Sequence, residues 1–196
     1  MIIPIILSST KALSSLDTFD TLETFEECKQ AISDAGKLAF DNNLILSCHP
    51  GPYTVLGSSN SKVVSNSIKE ILAHKSIGLL LKEKAPNLQF HINFHVGNKF
   101  DVDSAKRFCN AFNSLPDDAK TMIIIENDDK KNGWSIKKLY DYIHNSTGIP
   151  LTFDYHHSNF SREKNISAQE EFLIAKQTWK NKNILQEVQI GRAHVW

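Results

Sequence analysis

This 196-residue sequence has no charge excess: 22 lysines and arginines are matched by 22 aspartates and glutamates. A uniformly basic surface is excluded, so any nucleic-acid binding has to come from a local patch. Cysteine is scarce, odd in number and scattered, at Cys28, Cys48 and Cys109. That pattern suits reduced, mostly buried thiols in a cytosol-like compartment. No apolar run approaches the roughly 20 residues that span a bilayer. The opening "MIIPIIL" lacks the basic segment of a signal peptide. Low-complexity tracts and Pro/Gly-rich linkers are missing too. A soluble, intracellular, cytoplasmic chain of one domain is expected.

What is present alternates. Short apolar runs at 2–7 ("IIPIIL"), 44–48 ("LILSC"), 89–96 ("QFHINFHV"), 122–127 ("MIIIEN"), 150–154 ("PLTFD") and 184–189 ("ILQEVQ") read as strands. Helical spacing runs through 21–43, with Leu22, Phe25, Cys28, Ile32, Ala35 and Leu38 recurring, and through 63–85, with Ile68, Ile71, Leu72 and Leu79. Further helices are expected near 101–114, 135–146 and 167–180; Gly148 stops the second of these and Pro150 opens the next strand. Strands alternating with amphipathic helices imply βαβ units and a parallel sheet, either doubly wound or closed as a (β/α)8 barrel.

Four consecutive strands carry a metal-ligand residue type at the C-terminal end, where parallel α/β folds build their sites. The endings are "SCHPG" at His49, "NFHVG" at His95, "IIIEND" at Glu126 and "TFDYHH" at Asp154, with His157 three residues on. Side chains alternate along a strand. His91, Asn93 and His95 therefore share one face, and Phe90, Ile92, Phe94 and Val96 the other. Glu126 likewise sides with Ile124, and Asp154 with Thr152. In an open sheet with helices on both faces, three polar residues on one face are costly. In a barrel that face lines the interior and leads to the mouth. The fold class expected is α/β, an incomplete (β/α)8 TIM barrel of about six parallel strands, one domain over residues 1–189.

Imidazoles and carboxylates converging at a barrel mouth suit Zn²⁺, Mn²⁺ or Fe²⁺. Glu126 lies between the histidine-bearing and aspartate-bearing strands, where it can bridge two ions. Two-metal sites activate water and stabilise a leaving oxygen, as phosphodiester cleavage requires. A single strand-end histidine is more often a hydrogen-bonded core residue than a ligand, but four such residues reverse that balance. His74 sits in a helical face and reads as packing. His91, one pleat below His95, reads as support behind the ligands. His156, opposite in parity to Asp154, is open between ligand and helix cover. The lysine pairs at 130–131 and 137–138 read as a solvated face rather than a DNA patch.

The motifs "SCHPGPYTVLGS" (47–58), "NFHVGNK" (93–99), "IIIENDD" (123–129) and "GIPLTFDYHH" (148–157), with "TW" at 178–179, resemble in order and spacing those of the UV damage endonucleases, barrel enzymes of DNA repair. Each motif alone is weak; "HPG-x-Y", "EN-D" and "FD-x-HH" together are specific. The related apurinic endonucleases and sugar isomerases share the barrel and part of the metal shell. The resemblance implies that His49, His95, Glu126, Asp154 and His157 ligate two or three divalent ions, Mn²⁺ first, with Zn²⁺ an alternative, and that Glu126 is catalytic. It implies nicking of damaged double-stranded DNA on the 5′ side of a UV photoproduct, with metal-activated water attacking phosphorus. The family inserts a Gln–Tyr pair into the duplex. Tyr53 matches the tyrosine, whereas Pro52 stands where the glutamine does, and a proline ring can wedge but not hydrogen-bond. Asn98 and Lys99 follow His95 where a phosphate can approach. A monomer with no membrane partner is expected.

Parts of the pattern are absent. A barrel of this type typically takes about 250 residues, with about 200 as the floor. The chain opens on what resembles the family's second strand, and Glu187 and Gln189 stand where the family has Lys-x-His. The ending "IGRAHVW" resembles a translated sequencing adaptor. Residues 190–196 are therefore expected to be a non-native tail, and His194 is not counted as a ligand. Two other functions compete: a xylose-isomerase-like sugar isomerase or epimerase, for which a closed polar pocket would speak, and an inactive fragment or non-catalytic DNA-binding protein.

Overall fold

The computed structural model describes residues 22–97, 99–180 and 188–189. Helix α1 (Leu22–Asp41) leads to β1 (Leu46–Cys48), and α2 (Ser61–Lys82) to β2 (Phe90–His95). Helix α3 (Val102–Asn113) and the short α4 (Asp117–Lys120) precede β3 (Ile123–Glu126). Next come α5 (Ile136–Leu139), a π-helical turn (Tyr140–His144), α6 (Asn145–Thr147) and β4 (Leu151–Asp154). Then follow α7 (Tyr155–Ser161), α8 (Ala168–Gln177) and the two-residue β5 (Val188–Gln189).

Every strand pair is parallel and the order is β1-β2-β3-β4-β5. A doubly wound sheet reverses its strand order at a switch point; this one does not. Right-handed crossovers in one direction put the helices on one face, which is the half-barrel arrangement. Six strands were expected; among the described residues there are four, plus the two-residue pairing of β5 with Phe153 and Asp154. The outer edge of β4 is occupied at its start. Leu151 N donates to Thr178 Oγ1 at 2.9 Å, and Trp179 Nε1 donates to Leu151 O at 2.8 Å. Side chains thus occupy the backbone groups at the start of β4 that a neighbouring strand would use. The strand expected at 2–7, Glu187 and the tail 190–196 lie outside the described residues.

The strand faces divide as the alternation requires. Phe94 meets Phe108 of α3 at 6.3 Å between ring centroids, and Ile123 and Ile125 join the apolar cluster under the helices while Ile124 does not. Fully burying an Ile or Phe side chain contributes about 1.5–3 kcal/mol. The helix faces differ from the periodic reading. On α1 the seam is Ile32, Ser33, Gly36 and Ala39; Cys28 and Ala35 face solvent and Leu38 is 65 % exposed. A Cβ at Gly36 would lie 1.9 Å from Leu81 O, so only glycine lets α1 approach α2 this closely. On α2, Leu79 is exposed and the small Gly78 is buried against the Phe90 ring, which a Cβ there would meet at 2.5 Å. No helix among the described residues is long and apolar enough to cross a membrane.

Helix α7 was not expected from the sequence. It starts because Asp154, the last residue of β4, accepts a 2.9 Å hydrogen bond from His157 N and acts as the N-cap. One side chain therefore ends a strand, opens a helix and turns His157 back toward the strand ends. The expected stop at Gly148 is seen, with φ +70°.

Candidate metal centre

The strand ends meet around Glu126, which is 1 % exposed. Register sets His95 opposite Glu126, and Glu126 opposite Thr152, so Asp154 lies two residues further along its strand. Asn127 spans that step: its Nδ2 donates to Asp154 O at 2.9 Å, and Asp154 N donates to its Oδ1 at 2.8 Å. Glu126 Oε2 accepts from Asn93 Nδ2 at 2.6 Å. Its Oε1 lies 2.9 Å from His157 Nδ1 and 3.9 Å from His95 Nε2. Ring centroids of His49 and His95, and of His95 and His157, are each 5.3 Å apart.

Two donor groups result, His49–His95–Glu126 and Glu126–Asp154–His157, each with its ligand atoms within 4.8 Å of one another. Glu126 belongs to both. All five residues expected as ligands are thus brought together. His49 Nδ1 lies 2.9 Å from Pro50 O, and His95 Nδ1 lies 3.4 Å from Glu126 O. Donation from Nδ1 to a carbonyl makes Nε2 the nitrogen that carries the acceptor lone pair, as a metal-ligating imidazole needs. Asn93 Oδ1 and Thr152 Oγ1, on the same interior faces, are buried with no hydrogen-bond partner. Three imidazoles, two buried carboxylates and two orphaned oxygens fit a divalent cation of the Zn²⁺ or Mn²⁺ type.

The electrostatics agree with crowding of ligands. Burial pushes the Glu126 carboxyl up, but the His157 hydrogen bond and the charges of His95, His157 and His49 hold it below the usual range. Burial pushes His157 down, but its hydrogen bond to Glu126 and the charges of Glu126 and Asp154 win, raising it to about 9.

The remaining expected residues divide. Gly51–Thr54 forms a turn closed by Thr54 N donating to Gly51 O at 2.9 Å, with Pro52 at its second position and Tyr53 88 % exposed at the tip. Pro52 therefore presets the turn behind Tyr53. Lys99 is exposed and Asn98 lies outside the described residues. His156 faces solvent, edge-on to Phe160 at 5.2 Å, and belongs to neither donor group. His74 packs in α2 with Nδ1 2.9 Å from Glu70 O, as expected. His91 rests 5.6 Å from the Trp179 ring, below the donors. Lys138 is not on a solvated face: it donates to Gly133 O at 3.1 Å and lies 4.9 Å over the Phe100 ring.

Sequence reasoning missed Asn93, Asn127 and Glu171 as supporting residues. Asn93 had a visible signal, since it shares the face of His95. Glu171 had none. It is fully buried, accepting from Ile136 N at 3.2 Å and Ser158 Oγ at 2.7 Å, which pins α7 and its His157 to α5 and α8.

The family model described as UV-endonuclease UvdE matches residues 6–194. The UV-damage endonuclease of Schizosaccharomyces pombe is 29% identical over 171 residues, 84% of this chain and 28% of that protein. The UV DNA damage endonuclease of Clostridium perfringens is 30% identical over 156 residues, 79% of this chain and 36% of that protein. This chain thus spans about a third of the length of these curated relatives. The crystal structure of SacUVDE superposes with a TM-score of 0.75 at 27% identity, covering 93% of this chain and 60% of that one. A D-tagatose 3-epimerase-like protein, at TM-score 0.53 and 12% identity, shares the fold alone. The chain belongs to the UV-endonuclease UvdE family.

Proposed function

We propose that this chain carries part of a metal-dependent DNA repair endonuclease that nicks the backbone 5′ to UV photoproducts. The observation that supports it most is the sharing of Glu126 between two donor groups. Two or three ions, Mn²⁺ first and Zn²⁺ an alternative, would be held by His49, His95, Glu126, Asp154 and His157. Such ions supply activation of water and stabilisation of the departing 3′ oxygen.

The chain's own residues position and probe. Asn93 fixes the Glu126 carboxylate, and Asn127 fixes the height of Asp154. Pro52 fixes the turn that presents Tyr53, whose ring is free to stack where a damaged base has unstacked cheaply. Lys99 stands on the rim for a phosphate.

Plasmid relaxation tests this. With Mn²⁺, the protein should nick UV-irradiated plasmid and spare unirradiated plasmid. Glu126→Gln should lower the rate by more than about 100-fold, since even the outer partners of metal ligands are worth about 10–100-fold. Equal nicking of both plasmids, or full activity in the variant, would overturn the proposal.

A further inference from the structure

The loops after β2 and β3 are joined into one body. Trp134 Nε1 donates to Gly97 O at 3.1 Å, and Phe100 N donates to Asn132 O at 3.3 Å. The Phe100 ring meets Trp134 at 5.1 Å and Tyr142 at 5.0 Å, with Lys138 above it. The second loop is closed twice, by Gly133 N donating to Lys130 O at 2.9 Å and by Asp128 N donating to Trp134 O at 2.9 Å. Gly97 (φ +77°) and Asn132 (φ +63°) take the left-handed conformations these turns need.

This platform exposes Lys99, Lys130 and Lys131 immediately after the strand ends that carry His95 and Glu126. Among the described residues, no carboxylate lies within ion-pair distance of any of the three ammonium groups. Lys75, Lys84 and Lys120 in the outer layer, in contrast, are paired with Asp118, Asp34 and Asp117. Asp128 and Asp129 on the same loop both feel the charge of Lys130, beyond ion-pair distance, and the exposed Asp129 offsets one of the positive charges. Exposed ammonium groups on a hydrogen-bonded scaffold differ from a solvated helix face: the backbone that carries them is fixed before a ligand arrives, and only their flexible stems remain to be ordered.

We propose that the joined loops form a phosphate-binding platform, with Lys130 and Lys131 contacting the backbone of the nucleic-acid strand that enters the donor cluster. The inference rests on the reading that the site acts on DNA. Successive phosphates follow at about 3.4 Å of axial rise per nucleotide. A strand that carries one phosphate at Glu126 and leaves toward these loops brings its next phosphates over them. Lysine serves as a point-charge phosphate binder, and such contacts set register without reading sequence.

The test is DNA binding against salt concentration, in EDTA so that no strand is cut, using duplexes with and without a UV photoproduct. Each lost phosphate contact should reduce the slope of log K on log salt by about 0.9. Lys130→Gln/Lys131→Gln should lower that slope by about 1–2 and weaken binding about tenfold or more at 0.1 M salt. The factor should be equal for both duplexes. Lys84→Gln, at the opposite end of the strands, should change neither. Thermal midpoints confirm that each variant is folded. A folded double variant with unchanged slope and affinity, while the parent protein binds, overturns the platform alone. A parent protein with no salt-dependent binding to either duplex overturns the platform and the DNA reading together.

Discussion

His157 is the residue on which proton and metal compete. Its proton is held by Glu126 and the pKa is raised from 6.5 to about 9. In the metal-free protein this pair is fully stabilising below about pH 6.5 and is lost as pH rises through about 9. Glu126, whose pKa is depressed, contributes above its ordinary value of 4.5 and loses that contribution as pH falls through its lowered folded value. A divalent ion needs the His157 proton gone. Uptake near pH 7 should therefore release about one proton from His157, and Mn²⁺ affinity should rise between pH 6 and 9. Calorimetry in buffers of different ionisation enthalpy reads the released proton directly. In His157→Gln that proton should be absent and the pH dependence should flatten.

At the scale of elements, close approach of α1 to α2 depends on one glycine. A Cβ at Gly36 would fall 1.9 Å from a backbone oxygen, which cannot swing away as a side chain can. Gly36→Ala removes backbone freedom from the unfolded chain, a gain of about 0.4–1 kcal/mol where the site can accept it. Here overpacking, at about 1–3 kcal/mol, outweighs that gain. The expected result is a lower denaturation midpoint with an unchanged m-value. Gly148→Ala makes a useful contrast: no atom lies within 4 Å of the added Cβ, but φ is +70°, so its cost is strain rather than collision. Helix α7 shows a different dependence. Its start is capped by Asp154 and its flank is tied by Glu171, so the placement of His157 relies on two carboxylates from neighbouring elements.

For the whole molecule, folding brings three imidazoles and two carboxylates together, and an ion that binds only this arrangement must stabilise it. Mn²⁺ at about 100 times its dissociation constant should add about 2.7 kcal/mol, raising the thermal midpoint by several degrees over the same protein in EDTA. Glu126→Gln, which removes a carboxylate shared by both donor groups, should reduce most of that shift. An equal midpoint with and without Mn²⁺ would remove the metal site from the account. The monotone strand order matters at this scale too, because it keeps the helices on one face and leaves the other face, with its polar residues, to line the interior below the strand ends.

The sequence by itself determined the α/β alternation, the parallel sheet, the polar interior face of β2 and the five candidate ligands. These are local properties: strand period, helix period and residue type at strand ends read directly from neighbours in the chain. Only the tertiary structure decided that α1 packs through Ser33, Gly36 and Ala39 rather than through Cys28 and Leu38, because that choice depends on the backbone of α2. Only it showed that β4 has its first residue held by Thr178 and Trp179, that buried Glu171 braces α7, and that Glu126 belongs to two donor groups at once. Lysines 130 and 131 make the same point. In the sequence they are a charge pair; in the fold they are exposed on the loop that follows Glu126, and that loop is fixed by hydrogen bonds with Gly97 and Phe100, more than 30 residues earlier.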